Sequence, residues 1–340
     1  MRALITGGAG FIGTNLADRL LRERHDVVLF DNLSRAGVEQ NLDWLQAQHG
    51  SRAQFVKGDV RDSSAVERAM RGVDAVFHFA AQVAVTTSVV NPQEDFSVNA
   101  QGTLNVLEAA RRAKPAPIFL YTSTNKVYGG LEHLRVADRE TRYEFENLPF
   151  GVPEICPLDF HSPYGCSKGS ADQYVHDYHR IYSLPTIVFR MSCIYGPHQF
   201  GTEDQGWVAH FVLTGLRGGS LTIYGDGKQV RDLLYVGDLI DLMIGACEKI
   251  ERTAGQIYNV GGGPAHTTSV WAELQSPLKL LLGQLPRVEY DEFRPGDQRI
   301  YVSDIRKAQE QLNWTPRVGI DDGLRRMVEA WKTDRRVALA

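Results

Sequence analysis

The pair of residues best suited to chemistry in this sequence is a tyrosine and a lysine four residues apart, in the run Tyr164-Gly-Cys-Ser-Lys168. On a helix, residues at this spacing lie on one face with their Cβ atoms about 5–6 Å apart. A nearby ammonium favours the phenolate and is expected to lower the tyrosine pKa from its usual value of about 10. Tyr164 would then accept a proton from an alcohol near neutral pH, as oxidation of a hydroxyl requires. The same spacing also occurs by chance on exposed helices, so the rest of the chain must show whether this pair is functional.

A glycine-rich turn at the start of the chain supports a cofactor-dependent oxidation. A short apolar strand, Ala3–Thr6, leads into Gly7, Gly10 and Gly13, and a helical pattern follows. With Gly8, these residues also satisfy G-x-G-x-x-G. Glycines here permit a tight turn, and the helix N-terminus beyond it attracts a pyrophosphate. We therefore predict a dinucleotide-binding site.

The acidic residue after the second strand indicates which dinucleotide. Strand Val27–Phe30 ends at Asp31, eighteen residues after Gly13. A carboxylate at this point accepts both ribose hydroxyls of an adenosine and repels a 2′-phosphate, which favours NAD over NADP. Arg35 is the nearby residue that would pair with a phosphate instead. Asp59, after a third strand, would either bond the adenine amino group or cap the next helix.

The pattern of strands and helices predicts an α/β fold. Strands alternating with helices through residues 1–195 indicate a Rossmann-type, doubly wound parallel sheet. The pattern loosens after residue 195, so we expect residues 196–340 to form a smaller α/β lobe that binds the substrate, with some later segments returning to the Rossmann domain. Helices are expected over Asp95–Arg112 and Ser167–Tyr182. Further strands are expected at Gln54–Val56, Ala75–Phe79, Ile118–Thr122, Thr186–Arg190 and Gln256–Val260.

Composition excludes several classes of protein. The chain has 340 residues and 43% hydrophobic content, enough for a large core. Its formal net charge is −4 with both signs mixed, which argues against a nucleic-acid partner. Without a leader pattern or a long apolar run, we expect a cytoplasmic protein and no membrane partner. The cysteines form no CxxC, so we expect reduced thiols and no metal site. They are Cys156, Cys166, Cys193 and Cys247.

Taken in order, these motifs resemble those of the extended short-chain dehydrogenase/reductase family. The matching runs, spread over essentially the whole chain, are Gly7–Gly13, Asp31-Asn32-Leu33, His78–Ala81, Val127-Tyr128-Gly129 and Tyr164–Lys168. Within the family, the sequence is most similar to nucleotide-sugar epimerases, in particular those that invert C2 of a CDP-hexose. The runs that carry this closer similarity are Phe30–Arg35, Gln82–Ser88, Ser123–Gly129, Asp159–Gly169, Asp204–Val208, Gly227–Asp232 and Arg294–Arg299.

The resemblance implies roles for individual residues. Tyr164 would be the acid/base, Lys168 would tune it and hold the nicotinamide ribose, and Thr124 would hydrogen-bond the reacting hydroxyl. Arg231 and Arg294 would bind the substrate pyrophosphate, which suits a guanidinium, although each residue would otherwise be read as a surface ion pair. The other residues implied to surround a tightly bound NAD are Gly7, Gly10, Phe11, Ile12 and Gly13 at the pyrophosphate, Asp31, Asn32, Ser34 and Arg35 at the ribose, Asp59 and Val60 at the adenine, and Phe79, Ala80, Ala81 and Asn99 along the trough.

One departure from the family pattern bears on the reaction. Sugar-nucleotide dehydratases carry an Asp-Glu pair directly after the strand-five threonine, and the related decarboxylases carry a Glu before the Val-Tyr-Gly run. Here the two positions are Asn125 and Lys126, which disfavours both reactions. The prediction is epimerisation of a CDP-hexose through a 2-keto sugar, with no net redox change.

Two alternatives differ from this prediction. A UDP-hexose 4-epimerase would use the same Tyr164 and Lys168 chemistry, because nothing in the catalytic residues separates C2 from C4. A non-catalytic NAD-binding protein would need none of Thr124, Tyr164 and Lys168, so their presence argues against it.

The resemblance also implies a homodimer or homotetramer, in which the helices over Asp95–Arg112 and Ser167–Tyr182 pack against a partner.

Overall fold

Near-continuous apolar runs form the central strands, as expected where both faces of a parallel sheet are covered by helices. The computed structural model describes residues 1–294 and 297–333. The strands are β1 (Arg2–Thr6), β2 (Asp26–Asp31), β3 (Ala53–Lys57), β4 (Ala75–His78), β5 (Ile118–Thr124), β6 (Val136–Asp138), β7 (Tyr143–Phe145), β8 (Thr186–Met191), β9 (Cys193–Tyr195), β10 (Ser220–Tyr224), β11 (Val230–Tyr235), β12 (Gln256–Val260), β13 (Thr267–Ser269), β14 (Arg287–Asp291) and β15 (Ile300–Tyr301).

Helices cover both faces of the sheet and build most of the second lobe. They are α1 (Phe11–Arg22), α2 (Val38–His49), α3 (Ser63–Ala69), α4 (Val85–Val90), α5 (Pro92–Phe96), α6 (Gly102–Arg112), α7 (Ser162–Tyr182), α8 (Trp207–Leu216), α9 (Val236–Glu248), α10 (Ile250–Thr253), α11 (Gln275–Leu282), α12 (Arg306–Leu312) and α13 (Ile320–Thr333). Within the described part of the chain, none of them has the length and apolar character needed to cross a membrane.

Seven parallel strands make up the main sheet, in the order β12-β8-β5-β4-β1-β2-β3. One face is buried by α1, α2 and α9, with Leu16 and Leu239 in the core. The other face is buried by α3, α6 and α7, with Val106 and Val175 in the core. The predicted Rossmann-type sheet is therefore confirmed, and β12 is a late segment that returns to its edge.

The second lobe is built mainly from residues after β8. Strand β11 pairs with β9, β13 and β15, while β10 pairs with β14. Their core includes Phe211, Trp271 and Leu324, on or near helices α8, α11 and α13. Because β9 follows β8 after one residue, the lobe starts where the sheet strand leaves the Rossmann core. The boundary at residue 195 stays a prediction.

Two regions differ from the expected elements. The single helix expected over Asp95–Arg112 is α5, a π-helical turn over Ser97–Gln101 and then α6. Asn91 caps α5, because its side chain accepts a hydrogen bond from the Glu94 N–H. The antiparallel hairpin of β6 and β7 was not expected, since its three-residue strands are too short to show a period of two.

Candidate active site

Thr124, Tyr164 and Lys168 lie together at the carboxyl edge of the sheet. Thr124 ends β5, while Tyr164 and Lys168 lie in successive turns at the start of α7. The Lys168 ammonium is buried, donates a 2.7 Å hydrogen bond to the Thr122 carbonyl and lies 4.3 Å from the ring centroid of Tyr121. The Thr124 hydroxyl lies near enough to Tyr164 to lower the pKa of its phenol. The structure therefore assembles the three residues that would handle a sugar hydroxyl.

The pKa of Tyr164 differs from the prediction. Burial raises it to about 12, the nearby Thr124 hydroxyl opposes the rise, and the Asp95 carboxylate adds to it. The prediction that Lys168 lowers the pKa of Tyr164 is therefore wrong. The ammonium is directed to the Thr122 carbonyl and the Tyr121 ring, and burial lowers its own pKa to about 7. Lys168 is therefore not among the groups that set the pKa of Tyr164.

A buried polar cluster ties the start of α7 to the loop after β4. Asp95 accepts hydrogen bonds from the Ser167 hydroxyl and, at 3.1 Å, from Nδ2 of Asn99. Asn99 also binds the backbone of Gln82, accepting from its N–H at 2.9 Å and donating to its carbonyl at 3.0 Å. Asn99 was predicted to line the cofactor trough, and here it shapes the adjoining loop. Sequence reasoning missed Asp95 and Ser167, because polar residues on helices are usually exposed.

A second hydrogen bond, from α4, supports the helix that carries Tyr164. The backbone N–H of Tyr164, in the first turn of α7, donates to the Ser88 hydroxyl at 3.1 Å. The first N–H groups of a helix have no partner within the helix. Ser88, which is fully buried, therefore satisfies one of them and fixes the position of the Tyr164 backbone. This role was not predicted either.

The glycine turn lies against the loop that follows β4. Gly7 has φ +68°, and a Cβ there would lie 2.8 Å from the Ala80 nitrogen and 2.9 Å from the Phe79 carbonyl carbon. A Cβ at Gly13 would lie 2.4 Å from the Gly7 carbonyl oxygen. Side chains are thus excluded from Gly7 and Gly13 by backbone packing. Three segments predicted to surround the dinucleotide therefore lie together: the glycine turn, the loop at Phe79 and Ala80, and the start of α1 at Phe11 and Ile12.

The predicted ribose ligand lies next to this turn. Asp31, at the end of β2, accepts hydrogen bonds from the N–H of Ala9 at 3.1 Å and of Leu33 at 2.9 Å. Burial raises the pKa of the Asp31 carboxyl, and these bonds to the ionised form oppose the rise. Next along the chain, Ser34 N–H donates to Asn32, and the Arg35 guanidinium donates to the Phe200 carbonyl at 3.4 Å.

Asp59 lies beside Asn32, on the next loop of the same sheet edge. Asn32 Nδ2 donates to Asp59 at 2.9 Å, and the Arg61 side chain donates to both Asp59 oxygens. The hydrogen bond with Arg61 is the main reason why the pKa of Asp59 is lowered to about 2. Asp62 caps α3, so the helix-capping alternative for Asp59 is wrong. Val60, the other predicted adenine contact, is buried.

Both arginines predicted to bind the substrate pyrophosphate form ion pairs. The Arg231 guanidinium lies 2.8 Å from Asp297, whose same oxygen is 3.5 Å from Nζ of Lys126. Arg231 is buried where the second lobe meets the loop after β5, so the surface-pair interpretation does not fit it. Arg294 pairs with Glu203 at 3.0 Å and is partly exposed, so both interpretations remain open for it.

The chain is similar to known nucleotide-sugar enzymes over nearly its whole length. The family model described as GDP-mannose 4,6 dehydratase matches residues 4–327. CDP-paratose 2-epimerase of Salmonella typhi is 44% identical over 337 residues, which are 97% of this chain and 98% of that protein.

Solved structures show the same fold. The UDP-glucose 4-epimerase of Thermotoga maritima, solved with UDP-glucose, has a TM-score of 0.82 at 33% identity and covers 98% of this chain and 100% of its own. The dTDP-glucose 4,6-dehydratase of Streptomyces venezuelae, solved with NAD bound, has a TM-score of 0.84 at 32% identity and covers 99% and 98%.

Proposed function

Because this chain belongs to the GDP-mannose 4,6-dehydratase family of nucleotide-sugar epimerases and dehydratases, we propose that it is an NAD-dependent 2-epimerase that converts CDP-paratose to CDP-tyvelose. The observation that carries the proposal is the assembly of Thr124, Tyr164 and Lys168 with Asn125 and Lys126 directly after the threonine. The first three residues serve oxidation and reduction of a hydroxyl. The last two replace the carboxylates that a dehydration would need.

Each catalytic residue would have a definite task. Tyr164 would take the proton of the C2 hydroxyl as the sugar is oxidised to its 2-keto form, and would return it when the sugar is reduced on the other face. Thr124 would hold that hydroxyl, and Lys168 would hold the nicotinamide ribose. When bound, NAD supplies the hydride acceptor and donor and a positive charge.

The residues of the glycine turn fit such a cofactor. A Cβ at Gly10 would meet only the Gly7 carbonyl oxygen, at 3.1 Å, so there is space beside the helix N-terminus. Within residues 1–294 and 297–333, no side chain caps α1, and its first turn contains no acidic residue. The N–H groups of Phe11 and Ile12 are thus suited to a pyrophosphate, and Asp31 to a ribose.

Substrate binding would use the two arginines of the second lobe. Arg231 and Arg294 would exchange their carboxylate partners for the diphosphate, since guanidinium groups make bidentate bonds to phosphate oxygens. Asp297 would remain paired with Lys126 in that exchange.

A 4-epimerase acting on a UDP-hexose is the second candidate. The similarity to the Thermotoga maritima UDP-glucose 4-epimerase favours it, because the match to that enzyme covers 98% of this chain. Its chemistry would use the same tyrosine and lysine. Only the orientation of the sugar in the site would differ.

Assembly into a homodimer or homotetramer is part of the proposal. Large apolar side chains are exposed on α4, α5 and α7: Val90, Phe96, Tyr174 and Ile181 are 86%, 58%, 50% and 64% exposed. Packing of these helices against a second copy would bury them. Light scattering should give at least twice the monomer mass, and Ile181→Glu should lower it; a monomer at all concentrations would contradict the proposal.

Proton NMR of the purified protein with CDP-paratose, CDP-glucose or UDP-glucose in separate samples, without added cofactor, tests the function. Inversion at C2 of a CDP-sugar would support the proposed epimerase and a tightly bound NAD together. Inversion at C4 of UDP-glucose would assign the second candidate. No change in any sample, even with NAD supplied, would contradict both.

A further inference from the structure

Lys168 is a buried charge without a direct counter-charge. It is 4% exposed, and its ammonium bonds to a neutral carbonyl, that of Thr122. Among the described residues, no carboxylate forms an ion pair with it. Burying an ammonium in this way is costly unless a negative charge lies nearby.

Asp95, on the neighbouring helix α5, is a buried carboxylate. It is fully buried, and its hydrogen-bond donors are two neutral groups, the Ser167 hydroxyl and the Asn99 amide. In the part of the chain that the structure describes, no cation pairs with it directly. Ser167 immediately precedes Lys168 on α7, so the carboxylate lies beside the turn that carries the ammonium.

The other carboxylate near Lys168 already has a cationic partner. Asp172, one turn further along α7, accepts two hydrogen bonds of 2.9 Å from Arg190 on β8, and both side chains are buried. Asp172 raises the pKa of Lys168 more than Asp95 does, but its charge is shared with Arg190, whereas Asp95 has no ion-pair partner among the described residues.

The remaining titratable groups around Lys168 are neutral near pH 7. His78 on β4 lies between Thr6 and Thr103, and burial lowers its pKa to about 3. Burial raises the pKa of Tyr121 on β5 well above its usual value, and the pKa of Tyr164 on α7 is raised as well. None of them supplies the missing negative charge.

We propose that Asp95 is a positioning residue for the Tyr164–Lys168 pair, which holds the start of α7 through Ser167 and Asn99 and supplies the negative charge that keeps Lys168 protonated. The inference rests on the proposed function only for the task of Tyr164. In support, Asp172 and then Asp95 raise the pKa of Lys168 against the lowering by burial, and Asp95 is the carboxylate that also raises the pKa of Tyr164.

Two substitutions separate charge from hydrogen bonding. Asp95→Asn keeps the size: the amide oxygen accepts from Asn99 and the amide nitrogen donates to Ser167. The Ser167 hydroxyl then bonds to the Tyr164 carbonyl, 3.2 Å away. Ser167→Ala keeps the charge and removes the bond to the helix. Asp177→Asn, on the exposed side of the same helix, is the control.

The first measurement is an NMR titration of ε-¹³C-labelled lysine in the protein as purified with its cofactor, with the Lys168 signal assigned by its absence in Lys168→Met. The Lys168 midpoint should fall by about one pH unit in Asp95→Asn, the usual size of a nearby-charge effect, and should not move in Asp177→Asn. An unchanged midpoint in a folded Asp95→Asn protein would overturn the charge assignment. This readout needs no substrate, so it stands even if the proposed function fails.

The second measurement is the pH dependence of kcat. With Tyr164 as base and Lys168 as ammonium, loss of the Asp95 charge lowers both pKa values, so both limbs of the profile should move to lower pH. Ser167→Ala should reduce kcat about tenfold with both limbs in place, as expected for loss of positioning. If Ser167→Ala has wild-type kcat, the positioning role is excluded, and this test holds even where Asp95→Asn does not fold.

Discussion

Nζ of Lys168 donates a 2.7 Å hydrogen bond to the carbonyl oxygen of Thr122. This bond joins the helix that carries Tyr164 to the strand that ends in Thr124, two residues beyond Thr122. Lys168 therefore fixes the relative position of the two residues that would contact the reacting hydroxyl. Its structural role and its electrostatic role cannot be separated by removing the side chain alone.

Replacing Tyr164 with Phe should reduce kcat by about 10²–10⁴-fold, because a general acid/base usually contributes that factor. Tyr174→Phe is the matched control, since Tyr174 lies on the same helix and is half exposed. The measurement is the initial rate of sugar inversion by NMR, with melting temperatures compared. Near-normal turnover by Tyr164→Phe would contradict its assignment.

Breaking the buried ion pair should destabilise the fold strongly. Asp172→Ala leaves Arg190 buried without a counter-charge, which typically costs about 3–5 kcal/mol of unfolding free energy. Asp177→Ala removes an exposed pair with Arg180 on the same helix and should cost less than about 1 kcal/mol. Urea denaturation measures both. Equal losses of unfolding free energy in Asp172→Ala and Asp177→Ala would contradict the larger contribution expected of the buried ion pair.

Arg231→Met should raise the KM for the nucleotide sugar about 10–100-fold and change kcat little, because a charge-assisted bond contributes about 1.5–3 kcal/mol to binding. Arg217→Met, an exposed arginine of the same lobe, should leave KM unchanged. Steady-state kinetics at fixed pH provide the comparison. A wild-type KM in Arg231→Met would remove this residue from the proposed substrate site.

Asp59 should show a pH-dependent link to Arg61. Since the hydrogen bond with Arg61 lowers the Asp59 pKa to about 2, it stabilises the fold above the usual pKa of about 3.9, and this contribution is lost as pH falls through 2. Arg61→Met should return the Asp59 pKa towards 3.9, whereas Arg68→Met, an exposed arginine on α3, should not. Carboxyl ¹³C titration measures the two values. A pKa that stays near 2 in Arg61→Met would show that Arg61 does not cause the lowering.

Asp31 should set the choice of dinucleotide. The protein is expected to bind NAD in preference to NADP, and Asp31→Ser should reduce this preference at least about tenfold by removing the repulsion of a 2′-phosphate. Asp43→Asn, exposed on α2, is the control. Calorimetric titration of the cofactor-depleted protein gives both affinities. An unchanged ratio would mean that another residue selects the cofactor.

The parts of the fold predicted best have a signal within a few residues. Gln256–Val260 was predicted with the bounds of β12, and the glycine turn has its expected place between β1 and α1. The π-helical turn at Ser97–Gln101 was missed. Asn99 in that turn binds the Gln82 backbone, which lies far away in sequence, so no local pattern reports it.

The sequence by itself determined the type of sheet, the dinucleotide motif and the identities of Thr124, Tyr164 and Lys168, because these depend on local spacing and residue chemistry. Only the tertiary structure decided how those groups ionise. Whether an ammonium stabilises a phenolate depends on burial, on where its N–H bonds point and on which carboxylates are already paired. In this protein Lys168 points to Thr122, Asp172 is held by Arg190, and Asp95 is left as the buried negative charge beside the site.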